Sequence, residues 1–124
     1  MESGLPWAAI IGNHDQESTM TREELMSLIS LMDYSVSQVN PLVQNPSGQQ
    51  DKVLLTGIDG FGNYNLSVHG PFGSLLANHS VLNLFFLDSG DRITVDGRRT
   101  YGYIRESQLD WLRGFSQAQQ VRIF

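Results

Sequence analysis

The run Trp7-Ala8-Ala9-Ile10-Ile11 most restricts what this chain can fold into. Apolar residues stand unbroken between Pro6 and Gly12, a pattern that predicts a central strand buried on both faces. Gly12-Asn13-His14-Asp15 follows at once, then the polar Gln16-Glu17-Ser18-Thr19 and a helix-like pattern. Strand, polar turn and helix in that order place the turn at the carboxyl end of the strand, where open α/β sheets bind ligands. The residue types suit a metal-assisted site. An Asn13 amide oxygen can ligate a hard cation. His14 can bind metal, contact an anion or carry a proton, and Asp15 beside it can fix the imidazole tautomer. The same residues also make an ordinary turn, because Gly-Asn is a common turn pair. The pattern predicts that Asn13 and His14 face one cleft together.

The rest of the chain alternates strand and helix, which indicates α/β class with at least one mixed sheet. Thr21 and Glu24 fit a capping box, with Glu23 and Glu24 at the positive helix end. Leu25, Leu28, Ile29 and Met32 recur at helical spacing, Met26 and Leu31 widen that stripe toward burial on more than one side, and the helix is expected to end near Asp33 or Tyr34. Residues 35–51 lose periodicity and carry turn pairs, so they read as a connection without chemistry. Lys52 to Thr56 and Asn63 to His69 read as a hairpin's strands, with Tyr64, Leu66 and Val68 alternating against polar neighbours. Gly60-Phe61-Gly62 lacks the Lys and the following helix that a phosphate loop needs. Val81 to Leu87 is the strongest strand signal, read as buried on both faces and sharing a sheet with 7–11 beneath the two helices. Asp88 after it reads as a turn residue holding backbone amides. Residues 92–103 read as a surface loop, and Ser107 as the opening of a last helix with Leu109, Trp111, Leu112 and Phe115. Val121 to Phe124 reads as the approach to another strand.

At 124 residues the chain is one domain's worth at most. Its net charge of −5 argues against nucleic acid or an anionic membrane as partner, since both need clustered Lys and Arg. No window reaches the apolar length of a membrane span. Residues 1–6 lack the basic start and apolar stretch of a signal peptide. Without cysteine there is neither a disulfide framework nor a thiolate metal site. Asn65-Leu66-Ser67 and Asn78-His79-Ser80 are glycosylation sequons of the kind that chance supplies in an Asn- and Ser-rich chain.

Gly12-Asn13-His14-Asp15 behind a buried strand resembles the central motif of calcineurin-like metallophosphoesterases. The wider match is to small plant purple acid phosphatase-like proteins. It runs through Pro6 to Thr19, Asn63 to Leu66, Asn83 to Asp91, and Tyr101 to Ile104 ahead of Gln108 to Trp111. The resemblance implies a fragment of the metallophosphoesterase β-sandwich with flanking helices (α/β/β/α). It implies a phosphate monoester substrate and a dinuclear metal centre, iron with zinc or manganese, whose bridging hydroxide attacks phosphorus. In that scheme Asn13 is a metal ligand, His14 is catalytic and faces the phosphate, and Asp15 orients His14. Many purple acid phosphatases have Glu where this chain has Asp15. The family also implies secretion or a vacuolar location, in contrast to the amino terminus seen here.

Other blocks of the family are missing from the chain. An Asp-x-His or Asp-x-Gly block and a Gly-Asp block belong upstream, and an isolated His and a Gly-His-x-His block downstream. Gly90-Asp91 follows the Asn-His motif instead of preceding it, and Thr94 stands where a Tyr would be. His69 and His79 read as surface or structural residues. Residues 1–124 are therefore expected to be a partial phosphoesterase domain that does not bind the metal pair alone and does not hydrolyse esters at an enzymatic rate. An inert binding or interaction module, or a nonfunctional fragment, is the alternative reading.

Overall fold

The computed structural model describes residues 4–15, 17–41 and 57–120. Among them the order is α1 (Arg22–Leu31), β1 (Tyr64–His69), β2 (Ser80–Phe86), β3 (Arg92–Val95), β4 (Arg98–Tyr101) and α2 (Glu106–Gln120). The class is mixed α/β. The described strands form two separate antiparallel pairs, β1–β2 and β3–β4, in place of the mixed sheet expected from the sequence. The expected strand at 52–56, most of the 35–51 connection and the run 121–124 lie outside the described residues.

Helix α1 begins as its sequence predicts. The Glu24 amide donates to the Thr21 hydroxyl, and the Glu24 carboxylate accepts from the Thr21 amide at 2.8 Å. This reciprocal pair satisfies two of the amides that a helix start leaves without partners. The helix ends at Leu31 with Met32 as its cap, short of Asp33. Its inward line is Arg22, Met26 and Ile29: of the expected stripe Met26 is fully buried and Ile29 packs on the core, while Leu28, Leu31 and Met32 are exposed, so the helix is not buried on more than one side. Arg22 causes the difference. Its guanidinium reaches inward to buried Asp88, so the positions four and seven residues on turn toward the core with it.

Strand β1 pairs with β2 in the register Tyr64 to Phe86 and Leu66 to Leu84. On one face Tyr64 stacks on Phe86 at 4.5 Å, and Tyr64 with Ile11 and Met26 forms the buried core, flanked by Ile29, Leu66 and Phe86. On the other face Phe85 meets the edges of Trp111 and Phe115 of α2, at 6.0 and 5.4 Å. The aromatic cover reaches only this end of the hairpin. Val68, Val81, Leu82 and Leu84 are exposed, so β2 is not buried on both faces as its apolar run suggested.

The apolar run at 7–11 does not become a sheet strand, and it does not share a sheet with 81–87. Trp7 makes an isolated parallel bridge to Ser35. The Trp7 amide donates to Tyr34 at 3.0 Å, and the Val36 amide donates to Trp7 at 2.8 Å. Side chains take over beyond that point: Ala9 N donates to Ser37 Oγ, and the Tyr64 hydroxyl donates to the Ala9 carbonyl. Those bonds end the ladder, and Ile10 is exposed while Ile11 is buried. Residues 92–103 are a second correction, because they contain the β3–β4 hairpin. Asp96 and Gly97 have φ of 50° and 74°, the left-handed pair that a two-residue hairpin turn requires.

Candidate functional site

The Gly12–Asp15 turn is built from beneath. Arg22 Nη1 donates to the Gly12 carbonyl at 2.7 Å and Nη2 to the Ile11 carbonyl at 3.3 Å. The same guanidinium pairs with Asp88, and both side chains are almost wholly out of solvent. One buried cation thus fixes the two carbonyls that lead into Asn13. The turn then closes on itself, with Glu17 N donating to the His14 carbonyl at 3.0 Å and Gly12 N donating to Asp15 Oδ2.

Above this base the side chains face outward. His14 Nδ1 lies 2.8 Å from Glu17 Oε1, and their side chains are 65% and 60% exposed. Arg92 Nη2 lies 3.9 Å from the same Glu17 oxygen. Asn13 is half-buried and Asp15 exposed. Asn13, His14 and Asp15 are neighbours in one turn, yet the carboxylate that reaches the imidazole is Glu17, and Asp15 turns back to the Gly12 amide. With Nδ1 held by Glu17, Nε2 is the ring nitrogen left for a ligand.

Asp88 anchors the floor. Its carboxylate accepts from Phe61 N and Gly90 N, both at 2.9 Å, besides Arg22. Holding amides is the turn role expected from the sequence. Gln108 of α2 donates to Asn63 Oδ1 and to the Asp88 carbonyl, each at 2.7 Å. Asn63 in turn donates to Asn40 Oδ1 at 2.9 Å, and Asn40 reaches the Ile58 and Gly60 carbonyls. Gly60 has φ of +87°, and a Cβ there would come within 2.8 Å of the Asp88 carbonyl. The network joins the connection after α1, the β1 and β2 ends and α2 beneath the turn.

Sequence reasoning missed Arg22, Glu17, Asn40, Asn63 and Gln108. Arg22 left one signal: a cation in a first helical turn opposes the helix dipole and calls for another partner. Asn40, Asn63 and Gln108 left none, because a buried amide looks the same in a sequence as an exposed one. Residues 35–41 read as a plain connection, yet Ser37 and Asn40 make them structural.

A dinuclear metal centre needs several carboxylate, imidazole or comparable donors on each ion. Among the described residues no three of His, Asp and Glu come together to hold an ion. Asn13 offers one neutral oxygen. His69 and His79 lie at the β1–β2 connection, where His69 opposes Ser80 in the register. The donors described here do not fit a metal pair by themselves.

No family model matches the chain, and no solved structure does. Curated relatives match nearly all of it. "Probable inactive purple acid phosphatase 28" of Arabidopsis thaliana is 59% identical over 124 residues, 99% of this chain and 30% of that protein. "Probable inactive purple acid phosphatase 14" of the same plant is 49% identical over 112 residues, covering 90% and 26%. "Phosphatase DCR2" of Saccharomyces cerevisiae is 32% identical over 113 residues, covering 90% and 17%. The chain thus spans less than a third of the length of the curated relatives it matches. Over most of its length the chain is similar to purple acid phosphatase-like proteins of the calcineurin-like superfamily.

Proposed function

We propose that the chain carries the phosphate-facing turn of a phosphoric ester hydrolase, within a metallophosphoesterase β-sandwich of α/β/β/α type, and that the chain alone is inactive. The observation that carries this reading is the contrast within one turn: a backbone anchored by buried Arg22 and an imidazole left outside. A group fixed at its base and open at its tip suits contact with a ligand. His14 Nε2 would face the phosphate of a monoester and hold or deliver a proton at the leaving oxygen. Glu17 orients the ring, and Asp15 keeps the turn closed through the Gly12 amide. Asn13 would be one ligand of an iron centre with zinc or manganese, with every other donor supplied from outside this chain.

A second reading, an inert binding module, has its own support. Two of the relatives above carry "inactive" in their names, and the described donors do not converge. A chromogenic phosphate monoester, assayed from acid to neutral pH with iron, zinc and manganese added, separates the cases. The chain alone is expected to give no turnover. A longer polypeptide that contains it and supplies the missing donors is expected to turn over and to lose activity in His14→Ala. Turnover by the 124-residue chain that vanishes in His14→Ala would contradict the inactivity. A fully liganded longer polypeptide indifferent to His14→Ala would favour the inert reading of this turn.

A further inference from the structure

The β3–β4 hairpin carries charge that the His14 turn does not account for. Arg92, Arg98 and Arg99 supply three of the eight Lys and Arg of a chain whose net charge is −5. The ladder sets Arg92 opposite Tyr101 and Thr94 opposite Arg99. Directly opposed residues share a face, and side chains alternate along each strand. Arg92, Thr94, Arg99 and Tyr101 therefore stand on one face. Arg92, Arg99, Thr100 and Tyr101 line an open cleft of about 320 Å³, a volume in the range of small-ligand clefts, roughly 300–1,000 Å³.

Two guanidiniums on diagonal positions repel each other unless an anion lies between them. Among the described residues no carboxylate pairs with Arg99. Guanidinium forks match the paired oxygens of phosphate and carboxylate, and the hydroxyl of Tyr101 adds a donor to the wall. The cleft also adjoins the candidate site. Glu17 Oε1 lies 2.8 Å from His14 Nδ1 and 3.9 Å from Arg92 Nη2, so one exposed carboxylate stands between the imidazole and the hairpin.

We propose that the Arg92–Arg99 face is an anion subsite beside His14, taking a second phosphate-sized oxyanion of the ester whose reacting phosphate faces His14. The inference rests on the reading of His14 given above and narrows its substrate class to esters with two anionic groups. Glu17 is the resident competitor. It draws on Arg92 while the cleft is open, and an arriving anion takes its place at that guanidinium.

The test uses the isotopically labelled full chain, titrated with inorganic pyrophosphate without added metal. Backbone amide and Arg Nε–Hε signals are followed by NMR. The expected result is a single saturable event that moves Arg92, Arg99 to Tyr101, and Asn13 to Asp15 together. Arg99→Gln should weaken it roughly tenfold, the scale of a lost hydrogen bond to a charged group. Glu17→Gln should tighten it by freeing Arg92. Arg99 is exposed, and an unchanged melting temperature would show that its loss acts on binding and not on folding. Shifts confined to the hairpin would uphold the anion site and contradict the His14 reading from which its substrate class follows. Shifts confined to residues 13–15 and indifferent to Arg99→Gln would overturn the subsite and leave the His14 reading standing. No shift at the hairpin at any pyrophosphate concentration would also overturn it.

Discussion

The Asp88 cluster and the His14 turn are polar assemblies joined through Arg22, yet they are built in opposite ways. Around Asp88 the partners are buried: Arg22 is 6% exposed, Asp88 1%, and Asn63 and Gln108 0%. The bonds cross long stretches of sequence, from Arg22 to Asp88 and from Gln108 to Asn63. Around His14 the partner is Glu17, three residues away, and both are mostly in solvent. Buried polar groups must be matched because each unmatched one carries its full desolvation cost. Exposed ones can be exchanged for a ligand at little expense to the fold. The difference separates residues that hold the turn from residues that the turn presents.

Breaking the buried half should have the largest effect. Asp88→Ala would leave the Arg22 guanidinium buried without its carboxylate, a loss of about 3–5 kcal/mol. Chemical denaturation should show it as a large fall in midpoint, and a shift of under 1 kcal/mol would mean that Arg22 swings out to solvent. Gln108→Ala removes donors to Asn63 and to the Asp88 carbonyl. About 1–3 kcal/mol should be lost, as for other unsatisfied buried groups. Coupling between this substitution and Asp88→Ala in a double-mutant cycle would confirm one network, while strict additivity would split it in two.

A smaller effect is expected where the polar contacts are local. Thr21→Ala removes the cap of α1 and should cost about 1 kcal/mol, read as lost helicity and stability. The Thr21 backbone amide, followed by its hydroxyl, holds the Glu24 carboxyl below its ordinary 4.5. A carboxylate with a depressed folded value stabilises the fold above its unfolded value and loses that contribution as pH falls through the folded one. Glu24→Gln should therefore flatten the acid limb of the stability profile, and an unchanged acid limb would count against the box. The smallest effect belongs to the exposed half. His14→Ala should change stability by no more than about 0.5 kcal/mol, and a loss matching that of Asp88→Ala would erase the distinction between the two assemblies.

How much of this could be read from the sequence follows the same division. The helix cap, strand 64–69, the 81–87 strand and the Asn13–His14 turn announce themselves through local spacing. The Thr21–Glu24 box spans three residues, and the Gly-Asn-His-Asp run is contiguous. What stayed hidden depends on distant partners. The apolar run at 7–11 predicts a ladder, but Ser37 Oγ and the Tyr64 hydroxyl claim the backbone of Ala9. The apolar stripe of α1 holds Met26 and Ile29 but is wider than the buried line, because the helix is oriented by Arg22 reaching Asp88. The β3–β4 hairpin was legible and overlooked: Asp96-Gly97 is a favoured two-residue hairpin turn, set among charged and polar residues that resemble a loop.

Metal stoichiometry tests the central claim most directly. The claim is that this chain presents His14 and Asn13 without the donors that a metal pair needs. The 124-residue protein would be loaded with iron, zinc or manganese, dialysed, and measured by elemental analysis beside Asn13→Ala. The predicted result is no tightly held pair and no difference between the two proteins. Two ions per chain that survive dialysis and fall in Asn13→Ala would contradict it, and would show that the turn is the core of a metal site this chain completes by itself.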